Sequence, residues 1–217
     1  MSTFVLIPGA GYAANCWDPL AAELRARGHT ALAVELPSAD ESCGLAEYAG
    51  AVVQAAAGYP DPVLVAHSFS GFFAPLACAR LRVRSVVLLG AMVPVAGERP
   101  RQWWVNTGQV AAQRATGFDH EDPEELFYHG FSPELRAKAR ECERAQAGTP
   151  FDQPWPLDGW PDVPTRFVLF QEDRLFPAAF MRRLGRERLG LAAEETPGGH
   201  LAVLSHAHEL AARILSE

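Results

Sequence analysis

The sequence predicts an α/β fold: a mostly parallel six-stranded sheet flanked by helices, with a helical cap inserted between the fourth and fifth strands. Two patterns in its 217 residues carry that expectation. Short aliphatic runs bounded by Gly and Pro alternate with longer stretches of helical periodicity, as in chains built from βαβ units. The runs Val63, Leu64, Val65, Ala66 and Val86, Val87, Leu88, Leu89 are apolar at every position rather than at every second one. That suits strands covered on both faces by helices. A chain of this length fits one domain, residues 1–217.

The first strand is expected over residues 3–7 and leads into a loop containing Gly9 and Gly11. A helix over 19–27 follows, stopped by Gly28, which supplies the left-handed conformation a helix end requires. A strand at 30–35 and a helix at 45–57 come next, then a strand at 62–66, a helix at 70–81 and a strand at 85–89. Residues 92–164 break the rhythm. They are rich in Trp, Pro and charge, with helical pieces at 103–116 and 133–146, and a cap over a pocket is expected there, at the carboxyl end of a strand. A strand at 166–170, a helix at 178–188, a strand at 193–196 and a helix at 201–215 complete the chain.

Composition narrows the function. A hydrophobic fraction of 48% with 21% charged residues is that of an ordinary globular protein. A net charge of -7 repels phosphates, so neither a nucleic-acid partner nor an anionic membrane is expected. Cys16, Cys43, Cys78 and Cys142 lack the close pairing of a zinc site or a disulfide framework. His206 and His208, two apart, face different sides of a helix and are expected at the surface, so no metal is expected. The chain enters its first strand without a signal-type leader, and it has no apolar stretch of membrane-spanning length. A cytoplasmic address and a small-molecule partner are therefore the expectation.

Chemistry is concentrated at three strand ends. The strand at 62–66 runs through His67 into Ser68, Phe69, Ser70 and Gly71. A serine lifted on a tight turn between strand and helix needs small neighbours two positions away on either side, here Ala66 and Ser70. A serine hydroxyl is a weak nucleophile without a base in reach and a carboxylate to orient that base. The strand at 166–170 ends in Glu172 and Asp173, with Asp173 the first choice, and the last strand ends in Pro197, Gly198, Gly199 and His200. Each residue has an ordinary alternative: Ser68 as a helix cap, Asp173 as a helix-leading acid, His200 as a structural histidine. Their joint position at three strand ends favours catalysis. The loop from Ile7 to Tyr12 can supply a backbone N–H, at Ala10, which with that of Phe69 would form an oxyanion hole. One such donor is worth about 3 kcal/mol in the transition state.

These motifs resemble the α/β-hydrolase superfamily. The matching segments are residues 6–11, 66–71, 172–177 and 198–201, and the chain order Ser68, Asp173, His200 is the superfamily's order. More closely the chain is similar to small bacterial esterase-like members and to the plant methyl-ester esterase and hydroxynitrile lyase group. The resemblance implies a cofactor-free serine hydrolase with a helical cap, a carboxylesterase for a small apolar or aromatic ester. Trp103, Trp104, Phe127, Phe131, Trp155 and Trp160 would supply an apolar pocket or the cap's own packing core. The sequence departs from the family at Pro8, where a histidine is common, at Phe170, where a glycine is frequent, and at Ala66 and Ser70, which replace the elbow glycines. A lyase of the hydroxynitrile type is the first alternative, although it would want a cation in the cap and Lys138 is the sole lysine. A non-catalytic receptor using the same pocket is the second.

Overall fold

In the computed structural model, which describes residues 1–119 and 121–216, six strands form one sheet. They are β1 (Thr3–Ile7), β2 (Thr30–Ala33), β3 (Val63–His67), β4 (Ser85–Leu89), β5 (Thr165–Phe170) and β6 (Glu194–Thr196). Their spatial order is β2-β1-β3-β4-β5-β6, and every neighbouring pair is parallel. The sheet has a core on each face. Val5, Ile7, Leu64, Ala66, Val86 and Leu88 point to one, and Phe4, Leu6, Val63, Val65, Val87 and Leu89 to the other. This two-sided burial is why β3 and β4 are apolar at every position.

On the first face lie α2 (Leu45–Ala55), α3 (Ala74–Cys78) and α9 (Ala178–Leu189), the last through Phe180, Met181 and Leu184. On the second lie α1 (Asp18–Ala26) and the C-terminal pair α10 (Ala202–Ser205) and α11 (Ala207–Leu215). Two of the helices expected beside the sheet are broken. After β3 the chain makes a 3-10 turn, Ser68–Phe72, and only then starts α3, where Pro75 sits in the first turn. Proline is tolerated there and nowhere further into a helix. The expected helix over 201–215 breaks at His206, whose backbone (φ -128°, ψ 40°) leaves the helical region. His206 is therefore half-buried, with Nδ1 2.8 Å from Ser205 Oγ, while His208 is exposed near Glu23.

Between β4 and β5 come α4 (Pro100–Asn106), α5 (Gln109–Arg114), α6 (Pro123–Phe127), α7 (Pro133–Glu141) and α8 (Thr149–Asp152). The helix expected over 103–116 is split because Gly108 takes a left-handed φ of 71°, and the one expected over 133–146 ends at Glu141. Asp122 and Ser132 cap α6 and α7 by accepting from the amides of Glu124 and Leu135. Buried groups tie this segment to the sheet domain. Trp155 Nε1 donates to Phe72 O at 3.0 Å, and Arg188 of α9 pairs with the buried Glu98 and donates to Val93 O, the carbonyl that also accepts from Trp103 Nε1 within the segment at 3.0 Å. Among the described residues no helix is long and apolar enough to cross a membrane.

Candidate active site

Ser68 stands where β3 stops, with a φ of 55°. A side chain in that region costs about 1–3 kcal/mol and persists only where the surroundings enforce it. Here they do. A Cβ on Gly71 would come within 1.8 Å of Met92 O, so the turn after Ser68 is pressed against the end of β4 and tolerates only glycine. The Met92 amide donates to Ser68 O at 2.9 Å. Ser70 lies fully buried, with its hydroxyl turned to the carbonyls of His67 (2.8 Å) and Ile7 (3.2 Å). Ser70 thus fastens the elbow to β1 and is not available for chemistry.

The other two strand ends converge on this serine. His200 Nε2 is 3.0 Å from Ser68 Oγ, and His200 Nδ1 is 2.7 Å from Asp173 Oδ2. Ser68, Asp173 and His200 are 9%, 5% and 2% exposed, enough burial to shield the three from bulk water while Ser68 still lines a cavity. A carboxylate only accepts, so Nδ1 carries the imidazole proton and Nε2 faces the hydroxyl as an acceptor. Asp173 is itself held: Oδ1 accepts from the amides of Leu175 (2.9 Å) and Phe176 (2.8 Å). Its neighbour Glu172 has a different task, accepting from the Gly198 amide while its own amide donates to Gly198 O at 3.1 Å. Those bonds clamp the loop that carries His200.

His67 is a site residue whose one signal in the sequence is its adjacency to Ser68. It is buried between Trp17, Phe170 and His200, and its Nε2 donates to the His200 carbonyl at 2.9 Å. Burial, and secondly the neighbouring His200, hold its pKa well below the usual 6.5. It is therefore a neutral prop under the other imidazole. Phe170, where the family often has glycine, fills the space on its far side.

Ala10 and Phe69 line the same cavity as Ser68, and among the described residues neither backbone N–H is donated to another protein group. The Ala10 loop comes this near because Gly9 has no side chain; a Cβ there would sit 2.9 Å from Ser68 Cβ. The loop is tied from across the cavity by the segment after α7. Ala13 N donates to Cys142 O (2.9 Å), Arg144 N to Gly11 O (2.8 Å) and Gly11 N to Gln146 Oε1 (3.2 Å).

The cavity measures about 470 Å³. Met92, Trp104, Phe127, Phe151 and Leu175 form an apolar wall, and Tyr12, Tyr128, Glu143 and Arg144 a polar one. Of the six aromatics singled out in the sequence, Trp104 and Phe127 reach the cavity; Trp103, Trp155, Trp160 and Phe131 pack the core instead.

The model of the Alpha/beta hydrolase family matches residues 4–213. The chain belongs to the alpha/beta hydrolase family. This hydrolase-family chain is 38% identical over 107 residues to the probable esterase PIR7A of Oryza sativa subsp. indica, a match covering 44% of this chain and 41% of the rice protein. It thus spans about two fifths of the length of that curated relative. Two solved structures share its fold almost end to end. An extracellular alpha/beta-hydrolase from a Paenibacillus species aligns with a TM-score of 0.82 at 21% identity, over 99% of this chain and 98% of that one. Polyneuridine aldehyde esterase aligns with a TM-score of 0.82 at 20% identity, with the same coverage.

Proposed function

We propose that this alpha/beta hydrolase is a serine carboxylesterase acting on small esters with an apolar or aromatic part. The observation that carries the proposal is the imidazole of His200 bridging Ser68 Oγ and Asp173 Oδ2 at 3.0 and 2.7 Å. His200 Nε2 takes the Ser68 proton as Oγ attacks the ester carbonyl, and the Asp173 carboxylate stabilises the imidazolium that forms. Negative charge collects on the carbonyl oxygen, where the amides of Ala10 and Phe69 stabilise it. His200 then gives the proton to the departing alcohol. A water activated by the same imidazole releases the acid and restores Ser68. The residues between β4 and β5 act as the cap, with Met92, Trp104, Phe127 and Phe151 against the apolar part of the substrate.

Similarity to a rice protein named a probable esterase supports the choice of ester over other carbonyl substrates. A lyase that draws on a cationic cap residue finds less support. The sole lysine, Lys138, lies exposed in α7, and the cation of this segment that does line the cavity, Arg144, turns Nη1 to the carbonyls of Glu141 and Glu143. The deciding experiment is treatment with a fluorophosphonate probe followed by peptide mass spectrometry. An adduct on Ser68 that disappears in His200→Ala is expected; absence of labelling, or labelling at Ser70, sinks the proposal.

A further inference from the structure

We infer, building on the esterase reading, that the substrate carries a hydrogen-bond donor, a hydroxyl or an N–H, which meets an acceptor-only wall made by Tyr12, Tyr128 and Glu143. The inference follows from counting protons. Tyr128 Oη donates to Glu143 Oε1, and a phenol has one proton to give. The contact between Tyr12 Oη and Tyr128 Oη, 3.1 Å, therefore runs from Tyr12 to Tyr128. Both phenolic protons are spent inside the chain of three residues. What this wall still offers the cavity is the lone pairs of Tyr12 and the second oxygen of the Glu143 carboxylate. Burial pushes the Tyr128 phenol up to about 12 and Tyr12 upward as well, so both stay protonated at neutral pH and the direction of the chain persists.

The wall is built, not incidental. Tyr128 is buried, and Tyr12 and Glu143 face each other across an antiparallel bridge that joins the Ala10 loop to the segment after α7. Arg144 lies beside it, with Nη1 turned back to the carbonyls of Glu141 (3.0 Å) and Glu143 (2.7 Å), and its side chain exposed. Where the groups nearest a substituent are acceptors, as Tyr12 Oη and the Glu143 carboxylate are, an isostere that cannot donate to them is disfavoured, because binding leaves those groups without a partner. A methyl ether against these acceptors would suffer that penalty and a hydroxyl would not.

The test uses methyl esters of phenylacetic acid bearing a hydroxyl, amino, methoxy or carboxylate group at the meta or para carbon. The methylene insulates the ester carbonyl from the substituent's electronic effect, so kcat/KM ratios report recognition. Wild-type protein is expected to prefer the hydroxyl or amino ester to the methoxy ester by about tenfold or more at one ring position. Tyr12→Phe is expected to bring that ratio towards one, and Glu143→Gln, which adds an amide donor, to favour the methoxy ester selectively. Taking each ratio within one variant cancels any loss common to all substrates. Hydroxyl and methoxy esters turned over within twofold of each other at both positions would overturn the inference, as would preference for the carboxylate ester, or a ratio unchanged in both variants. In those cases Ser68-dependent hydrolysis of p-nitrophenyl acetate persists and the esterase reading stands. If p-nitrophenyl acetate and all the esters go unhydrolysed, the esterase reading itself fails and the inference falls with it.

Discussion

At the carboxyl edge of the sheet, the groups proposed to react are fixed by backbone. Ser68 is held by the register of β3 and the pressure of Met92 on Gly71, Asp173 by two amides of its own turn, and His200 by the Glu172 clamp and the His67 prop. Across the cavity, the segment between β4 and β5 contributes side chains fixed by packing, such as Trp104, Phe127 and Phe151, the last stacked on Phe69 with ring centroids 4.3 Å apart. On the proposed function, the first arrangement determines which bonds can be broken, the second which molecules fit. Hydrogen bonds between residues 11–13 and 142–146 join the two at the Ala10 loop, so the wall proposed to select substrate also steadies a group that would stabilise charge. Variants on the sheet edge should therefore lower kcat, and variants on the packed wall should shift KM and substrate choice.

The largest effect is expected at Ser68. Ser68→Ala should reduce kcat for p-nitrophenyl acetate by about 10⁶-fold, with thermal unfolding unchanged or slightly raised because Ala removes no buried bond other than that to His200. Ser70→Ala should do the reverse, keeping a labelled nucleophile while losing about 1 kcal/mol of stability as its bonds to the carbonyls of His67 and Ile7 disappear. An exchange of those two outcomes would break the comparison at its base.

Next comes Asp173→Asn, expected to cost about 10⁴-fold in kcat. An amide can donate to Nδ1 and so favours the tautomer that offers a proton, not a lone pair, to Ser68. Glu172→Gln, by contrast, keeps an oxygen for the Gly198 amide and should cost far less. Equal losses at the two positions would mean that both acids act through the loop and neither through the imidazole. Smaller again, Trp104→Ala or Phe151→Ala should lower kcat/KM for phenyl esters by about tenfold to 200-fold, mainly through KM. A fall in kcat of Ser68 size at unchanged KM would erase the distinction between edge and wall.

The same contrast accounts for what could be read from the sequence. A nucleophile elbow is a local demand: Ser68 needs small neighbours and a strand before it, and both are visible in nine consecutive residues. Asp173 and His200 are likewise tied to strand ends, and their order along the chain completes the pattern. Helix continuity was harder to see, because the breaks depend on Pro75 falling in a first turn and on Gly108 taking a positive φ. The packed wall was nearly opaque. Trp103 and Trp104 are adjacent, yet one is fully buried against Phe176 and Phe180 and the other faces the cavity, a difference set by the phase of α4 on its support. Tyr12 and Tyr128 are separated by 116 positions and become a pair only through the bridge between Tyr12 and Glu143. His67 and Glu172 sit beside catalytic candidates, and adjacency was the one available signal for their supporting roles.

The smallest expected effect tests whether the edge is rigid by design of its buried groups, and it is read in stability, not turnover. His67 in the folded protein has a pKa well below 6.5, chiefly through burial, so it stays neutral where the unfolded chain begins to take up a proton. Above about pH 6.5 neither state is charged at this residue, and its pH-dependent contribution is flat. As pH falls below that value the unfolded state binds the extra proton and gains relative to the folded state. Stability should then decline with a limiting slope of about 1.4 kcal/mol per pH unit from this one group until the folded pKa is reached. His129, also lowered by burial and by the charge of Arg174, adds a decline of the same sign. His67→Gln retains an N–H for the His200 carbonyl but does not titrate. Urea unfolding at pH 5, 6, 7 and 8 should accordingly show the variant less sensitive to acid than the wild type between pH 6 and 5, and parallel to it between pH 8 and 7. Identical acid slopes in the two proteins would mean that His67 is protonated in the fold, and that the edge tolerates a charge directly beneath the imidazole assigned as its base.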